Sequence, residues 1–391
     1  MGTRGLSTSS GTLVPAALLA VALLAGCTTE SPVPAESAVG PSGTPAPADA
    51  VTAPASRLGL DCADLVPDDL AAETVATGLV PLPYAAALLG GGPLSYAIEQ
   101  LGGTACAATA LTTSVPVVGV EPVEPVVSGY TVLVLPDAAE MYARYAELYT
   151  DVPSGADAPY GDSFGGACFG RGAESSCTSN ILVGSTWIDV QLTGIDAHAA
   201  LSDDDVVARV APLIESIVTT VADAPAPGPL WTPAGNAVEL PADCTVYATA
   251  DEARSTFQRT EELWVGPAGG GGWGLSAGAW TMSGAERCSW LLENSDNGVL
   301  SVEALPGAAW AYDAMLSLTA RPDQGARSEE SIPGVERASF ACGSSTETCS
   351  LDTVIGGNWV QFNTSSAHGD PDVLRDRLTR TAAGAAARLS G

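Results

Sequence analysis

Nine cysteines carry the most specific chemistry in this chain. Cys62 and Cys106 stand 44 residues apart, and Cys244 and Cys288 repeat that spacing. A closer pair follows each, Cys168/Cys177 and then Cys342/Cys349, and a tryptophan comes ten residues after each closer pair, at Trp187 and Trp359. Thiols spaced this way oxidise, bind metal or act in redox exchange. No pair has the C-x-x-C spacing of a zinc or redox site, and only two histidines exist to complete one. Eight cysteines allow 105 pairings; the doubled pattern selects those in which each copy closes its own bridges. The expected disulfides are Cys62–Cys106, Cys168–Cys177, Cys244–Cys288 and Cys342–Cys349. In the chain-entropy picture a loop of about 45 residues contributes ~4 kcal/mol, and the short loops less.

The ninth cysteine has a different environment. Arg4 precedes an apolar stretch over residues 13–25, which ends in Leu24-Ala25-Gly26-Cys27. A bilayer takes about 20 apolar residues, so this stretch reads as a secretory signal over 1–26 rather than a span. Its end looks like a bacterial lipobox, in which the Cys27 thiol receives a diacylglyceryl group. Two acyl chains are the minimum for stable anchoring. Residues 27–56 follow as a Pro/Ala/Ser/Thr-rich tether that lacks the apolar surface to fold. In polyproline form it would reach on the order of 90 Å. The expected location is the extracytoplasmic face of the cell membrane, lipid-anchored, where oxidation of thiols is the rule.

The rest of the side-chain inventory excludes more than it assigns. All 15 basic residues are arginine, so the glycine run 269–272 has no lysine to make a phosphate loop, and Schiff-base chemistry is absent. A formal charge of −30 opposes nucleic acid and anionic lipid. There is no Gly-x-Ser-x-Gly elbow and no His-Glu-x-x-His helix. His198 and His368 both fall between a Trp-bearing strand and a last helix, but in different registers, so a paired role is not expected. Asp203-Asp204-Asp205 reads as a helix start, since carboxylates there offset the helix dipole. It lacks the distal glutamate of a calcium loop, as does Asn294-Ser295-Asp296-Asn297-Gly298. Trp187 and Trp359 read as buried, while Trp264, Trp273 and Trp280 are extra tryptophans of the second copy that offer a ligand surface if exposed. No metal and no cofactor is expected.

The elements that must position these residues also occur twice. Asp61-Cys62 and Asp243-Cys244 each open an amphipathic helix, over residues 63–76 and 245–257, with Asp68 and Thr249 as expected caps. Gly-rich loops lead to Cys106 and Cys288. From Cys288 a strand runs to an Asp296-Asn297-Gly298 turn of the type I′ kind, and a return strand follows. Leu135-Pro136-Asp137-Ala138-Ala139 and Leu305-Pro306-Gly307-Ala308-Ala309 then begin helices, with proline where a helix start tolerates it. A second hairpin holds the close cysteine pair and the Trp-bearing strand, and each copy ends in a helix, over 203–221 and 371–389. The expected fold is α+β: two tandem α-β-β-α-β-β-α domains, each an antiparallel sheet packed against helices. The domains span 57–223 and 239–391, with a Pro-rich linker over 224–238.

Asp243-Cys244, an Ala-rich helix and then Gly284-x-x-Arg287-Cys288-Ser289-Trp290 resemble a family of actinobacterial cell-envelope lipoproteins. Their domain starts at Asp-Pro-Cys and returns to a Cys-x-Trp strand, similar in outline to sensor domains of mycobacterial receptor kinases. Here no proline separates Asp61 or Asp243 from its cysteine, and Ala108 stands at the tryptophan position of the first copy. The resemblance implies fold and location and little chemistry. The leading expectation is a non-enzymatic lipoprotein that binds an envelope or extracellular ligand. The alternatives are a structural protein docking a membrane or envelope partner, and a hydrolase using dispersed carboxylates.

Overall fold

Pro67 splits the opening amphipathic stretch into two short helices. The computed structural model describes residues 52–87, 91–112, 126–149, 152–170, 174–196, 201–233, 237–268, 274–292, 298–318, 326–343 and 348–390. In it α1 (Cys62–Leu65) and α2 (Asp68–Thr74) flank that proline. The cap of α1 is Asp61, whose carboxylate accepts the Ala63 and Asp64 amides while Asp64 bonds back, a capping box. Asp68 is the first residue of α2 rather than its cap.

The N-terminal half continues with β1 (Val80–Pro83), α3 (Tyr84–Ala87), a 3-10 turn (Pro93–Tyr96), α4 (Ala97–Gln100), β2 (Thr104–Thr112), β3 (Val126–Leu135) and α5 (Ala139–Leu148). Then come β4 (Ser163–Phe169), β5 (Ser176–Val183), β6 (Thr186–Thr193) and α6 (Asp203–Ala222). The C-terminal half runs α7 (Ala250–Thr256), β7 (Leu263–Pro267), α8 (Leu275–Ser283), β8 (Glu286–Leu292), β9 (Gly298–Leu305) and α9 (Ala309–Ser317). It closes with β10 (Ser328–Glu329), β11 (Arg337–Cys342), β12 (Thr348–Ile355), β13 (Asn358–Ser365) and α10 (Pro371–Leu389).

These strands build two antiparallel sheets, six-stranded β1-β2-β3-β6-β5-β4 and seven-stranded β7-β8-β9-β13-β12-β11-β10. Apart from β10, the order is the same. The first half thus has two strands and the second three strands more than the expected four, which corrects the α-β-β-α-β-β-α order. Edge strand β1 reads Val80-Pro81-Leu82-Pro83, which looks like a breaker. Proline is tolerated at an edge because its missing N–H faces no neighbour, and it also discourages pairing with another chain. In β4, Gly165-Gly166 disguises a strand as a loop. The close cysteine pairs lie directly opposite on β4/β5 and β11/β12, so the Trp-bearing strand is a third strand of the group.

One face of each sheet is covered by its own closing helix. Helix α6 starts at a Ser202/Asp205 capping box with three aspartates in its first turn, and runs through Pro212 at the loss of one backbone bond. Val206, Val210, Leu213, Ile217 and Val221 form its apolar stripe on the first sheet. Helix α10, capped by Asp370 with Pro371 at its first position, presents Leu374, Leu378, Ala382, Ala385 and Leu389 to the second. Four disulfides are present: Cys62–Cys106, Cys168–Cys177, Cys244–Cys288 and Cys342–Cys349. The long-range pair ties the opening segment of each half to β2 or β8, with Cα atoms 5.5 and 5.6 Å apart. A third apolar core draws on both halves, including Tyr96, Trp187, Leu275, Trp310 and Trp359.

Candidate ligand cavity at the exchanged helices

The stretches read as Gly-rich loops ahead of Cys106 and Cys288 contain helical segments, and each packs on the other half's sheet. Counting back without a gap from those cysteines matches Gly92 with Gly274, Tyr96 with Gly278, and Gly102 with Gly284. Gly92 and Gly274 precede their helical turns in extended backbone. Gly102 and Gly284 follow them at φ +72° and +68°, the left-handed conformation that ends a helix and suits glycine.

Helix α8 lies on Trp187 of β6, where an ideal Cβ on Gly278 would stand 3.0 Å from Trp187 Cζ3 and 2.8 Å from Met141 Cγ. In the reciprocal position, the Tyr96 ring lies 5.5 Å from Trp359 and 5.8 Å from Trp310, centroid to centroid. Hydrogen bonds between the halves hold the exchange. Trp280 Nε1 donates to Leu94 O at 3.0 Å, Gln100 Nε2 to Pro306 O at 2.5 Å, and Trp310 Nε1 to Gln100 Oε1 at 3.3 Å. The Tyr84 and Ser276 hydroxyls pair at 3.0 Å.

Beneath each exchanged segment a buried tryptophan donates to a residue on the neighbouring strand. Trp187 Nε1 bonds Asn180 Oδ1 at 2.9 Å, and Trp359 Nε1 bonds Asp352 Oδ1 at 3.0 Å. The next polar position along is Asp189 in one half and Gln361 in the other. Asp189, 2% exposed, accepts the Leu275 amide at the start of α8 and Gln191 Nε2 at 3.3 Å. It thus caps a helix of the opposite half. Burial pushes its carboxyl up to about 6 despite those hydrogen bonds. Asp352, fully buried, accepts Trp359 and Gln361 Nε2 on Oδ1 and Arg327 on Oδ2. Those partners commit both its oxygens to structure.

A cavity of about 420 Å³ opens where α8 crosses α5 and β6. Tyr145, Trp187 and Met141 of the N-terminal half line it on one side; Ala277, Trp280 and Thr281 of α8 line it on the other. Arg144, Glu286 and Arg287 supply its charges. Arg144 Nη2 pairs with Glu140 at 2.8 Å, and Arg287 Nε lies 3.5 Å from Glu303. Burial raises the Tyr145 hydroxyl to about 12 and moves the Glu286 carboxyl upward. Burial also raises Glu303, against the pull of Arg287. Aromatic walls with a few placed charges suit a small ligand with an apolar body.

No known protein family, curated protein or solved structure matches this chain. Among the described residues, no three His, Cys, Asp or Glu side chains are grouped to hold a metal ion, and no helix is long and apolar enough to cross a membrane.

Of the residues singled out in the sequence, Cys27, His198, Trp273, the 269–272 glycines and residues 294–297 lie outside the described residues. His368 ends a 3-10 turn, where its Nδ1 meets the Arg259 guanidinium and its Nε2 lies 3.0 Å from Gly298 O. Both ring nitrogens are thereby engaged in holding β9 and the turn. Trp264 is 49% exposed on edge strand β7 and is not among the residues lining the cavity, whereas Trp280 of α8 is. Sequence reasoning missed Met141, Arg144, Tyr145, Glu286 and Arg287, and treated Trp187 as core alone. The available signal was a polar residue two positions after each tryptophan, on the same strand face: Asp189 and Gln361.

Proposed function

We propose that this chain is a lipid-anchored bacterial envelope protein, tethered through Cys27, that binds a small extracytoplasmic ligand without transforming it. One observation carries the binding part: a cavity of about 420 Å³ formed jointly by the two halves and walled by Tyr145, Trp187 and Trp280. The four disulfides are compatible with an oxidising location. The Leu24-Ala25-Gly26-Cys27 sequence supports the anchor, and the motifs around Cys244 and Cys288 support a relationship to actinobacterial envelope lipoproteins. The halves are read as tandem copies of one ancestral module. Matching strand orders, matching cysteine spacings and the reciprocal exchange of helices support that descent.

The test is mass spectrometry of protein extracted from its native membrane. The expected result is a co-purifying small molecule at near one per chain, lost when Ala277→Trp fills the cavity. Wild-type protein that carries none, and takes up none from an envelope extract, overturns the binding reading. A second reading, docking onto an envelope protein, draws on exposed Trp264 and on Val80, at the equivalent register of the other edge strand. Cross-linking to one envelope partner that disappears with Trp264→Ala and survives Ala277→Trp would favour it.

A further inference from the structure

The charges around the cavity narrow the ligand. Arg144 comes from α5 of one half and Arg287 from β8 of the other, and both line the same space as Tyr145, Trp187 and Trp280. Two of only 15 cationic side chains, in a chain with 45 acidic ones, therefore converge on one site. The existing partner of Arg144 is a weak competitor: Arg144–Glu140 is an i,i+4 surface pair whose side chains are 58% and 87% exposed, so solvent screens it. Arg287 Nε lies 3.5 Å from a Glu303 carboxylate oxygen. Among the described residues the one acid lining the cavity is Glu286, and Arg287 follows it directly, so a cationic ligand would meet a neighbouring positive charge.

We propose that the cavity takes a small carboxylate with a flat aromatic or compact aliphatic body, its head held by Arg144 and Arg287 and its body against Trp187, Tyr145 and Trp280. This rests on the reading of the cavity as a ligand site. A guanidinium suits a carboxylate because its planar fork can give two parallel hydrogen bonds. The cavity volume, about 420 Å³, falls within the range of small-molecule sites. Because the chain as a whole repels anions, selectivity for one must come from contacts inside the cavity rather than from long-range steering.

The experiment is calorimetric titration of the full chain with three probes of one shape: 2-naphthoate, 2-naphthamide and 2-naphthylmethylamine. The expected order is anion, then neutral, then cation, with the carboxylate about tenfold or more tighter than the amide, the scale of one charge-assisted bond. Arg144→Gln, at an exposed position, should keep the near-UV circular dichroism of the parent, weaken naphthoate by roughly five- to tenfold and leave naphthamide within about twofold. Arg287→Gln should do the same independently. Equal affinity for the three probes, or an anion preference indifferent to both arginine variants, overturns the carboxylate assignment while leaving the cavity as a binding site. Failure of every probe to bind, or binding that survives Ala277→Trp, removes the ligand-site reading itself.

Discussion

Over Trp359 the exchanged residue is Tyr96; over Trp187 it is Gly278, at the matching position. The tyrosine ring packs between Trp359 and Trp310 and occupies its side of the shared core. The glycine lets α8 approach Trp187 and Met141 closely while contributing no side chain, and the cavity lies beside it. The polar residues underneath differ as well. The filled side carries Asp352 neutralised by Arg327; the open side carries Asn180 in the same role and a buried Asp189 that caps α8. The two crossings thus differ: one is a packed joint and the other leaves a ligand-sized space.

The comparison breaks most visibly at Tyr96. Tyr96→Ala should cost about 3–5 kcal/mol, as for other large-to-small changes at buried aromatics. Gly278→Ala, whose new methyl would press on Met141 Cγ and the buried Trp187 ring, should cost about 1–3 kcal/mol. Urea melts of both variants measure the contrast, and equal costs would show that the two joints are energetically alike. Next in size is Asp352→Asn, which makes the filled side resemble the open one. It leaves Arg327 without its buried partner and should cost roughly 2–3 kcal/mol, below the full penalty for a broken buried pair because Arg327 reaches solvent. A cost under about 0.5 kcal/mol, the scale of a surface substitution, would place the pair among dispensable contacts.

The smallest expected effect is a pH slope. Asp189 titrates near 3.8 unfolded and near 6 folded, so between those values the folded chain holds a proton that the unfolded chain releases. Its contribution is fully present below the lower value, declines as pH rises through the window, and is level above it. The decline is on the order of 1–3 kcal/mol. Asp189→Asn should remove this slope from stability measured across the window, making the open side behave like its counterpart, which has Gln361. A slope unchanged in the variant would assign it to other carboxyls, Glu99 first, since burial raises that group to about 7.

Much of the scaffold was legible in the residues. Local signals marked the closing helices: the Asp203-Asp204-Asp205 run at one start, Pro371 at the other, and apolar positions at helical spacing. The edge strands were not legible, because Pro81, Pro83 and the Gly165-Gly166 pair carry the signature of turns until a neighbouring strand supplies the pairing. Helix α8 was hidden for a related reason. Its sequence, Leu-Ser-Ala-Gly-Ala-Trp-Thr-Met-Ser, has no side-chain cap of its own and no amphipathic stripe, since the other half supplies both its capping carboxylate and its packing surface. The cavity could not be read at all: Arg144 and Arg287 stand 143 positions apart in the chain.

Chain order alone determined the paired spacings of cysteine and tryptophan, the acidic balance and the closing helices, because these depend on neighbours a few residues away or on counting. Which half each short helix would cover, and that one crossing would leave a space with two guanidiniums at it, was decided only in three dimensions. Glycine and tyrosine at matching positions carry no such meaning until the opposite sheet lies beneath them.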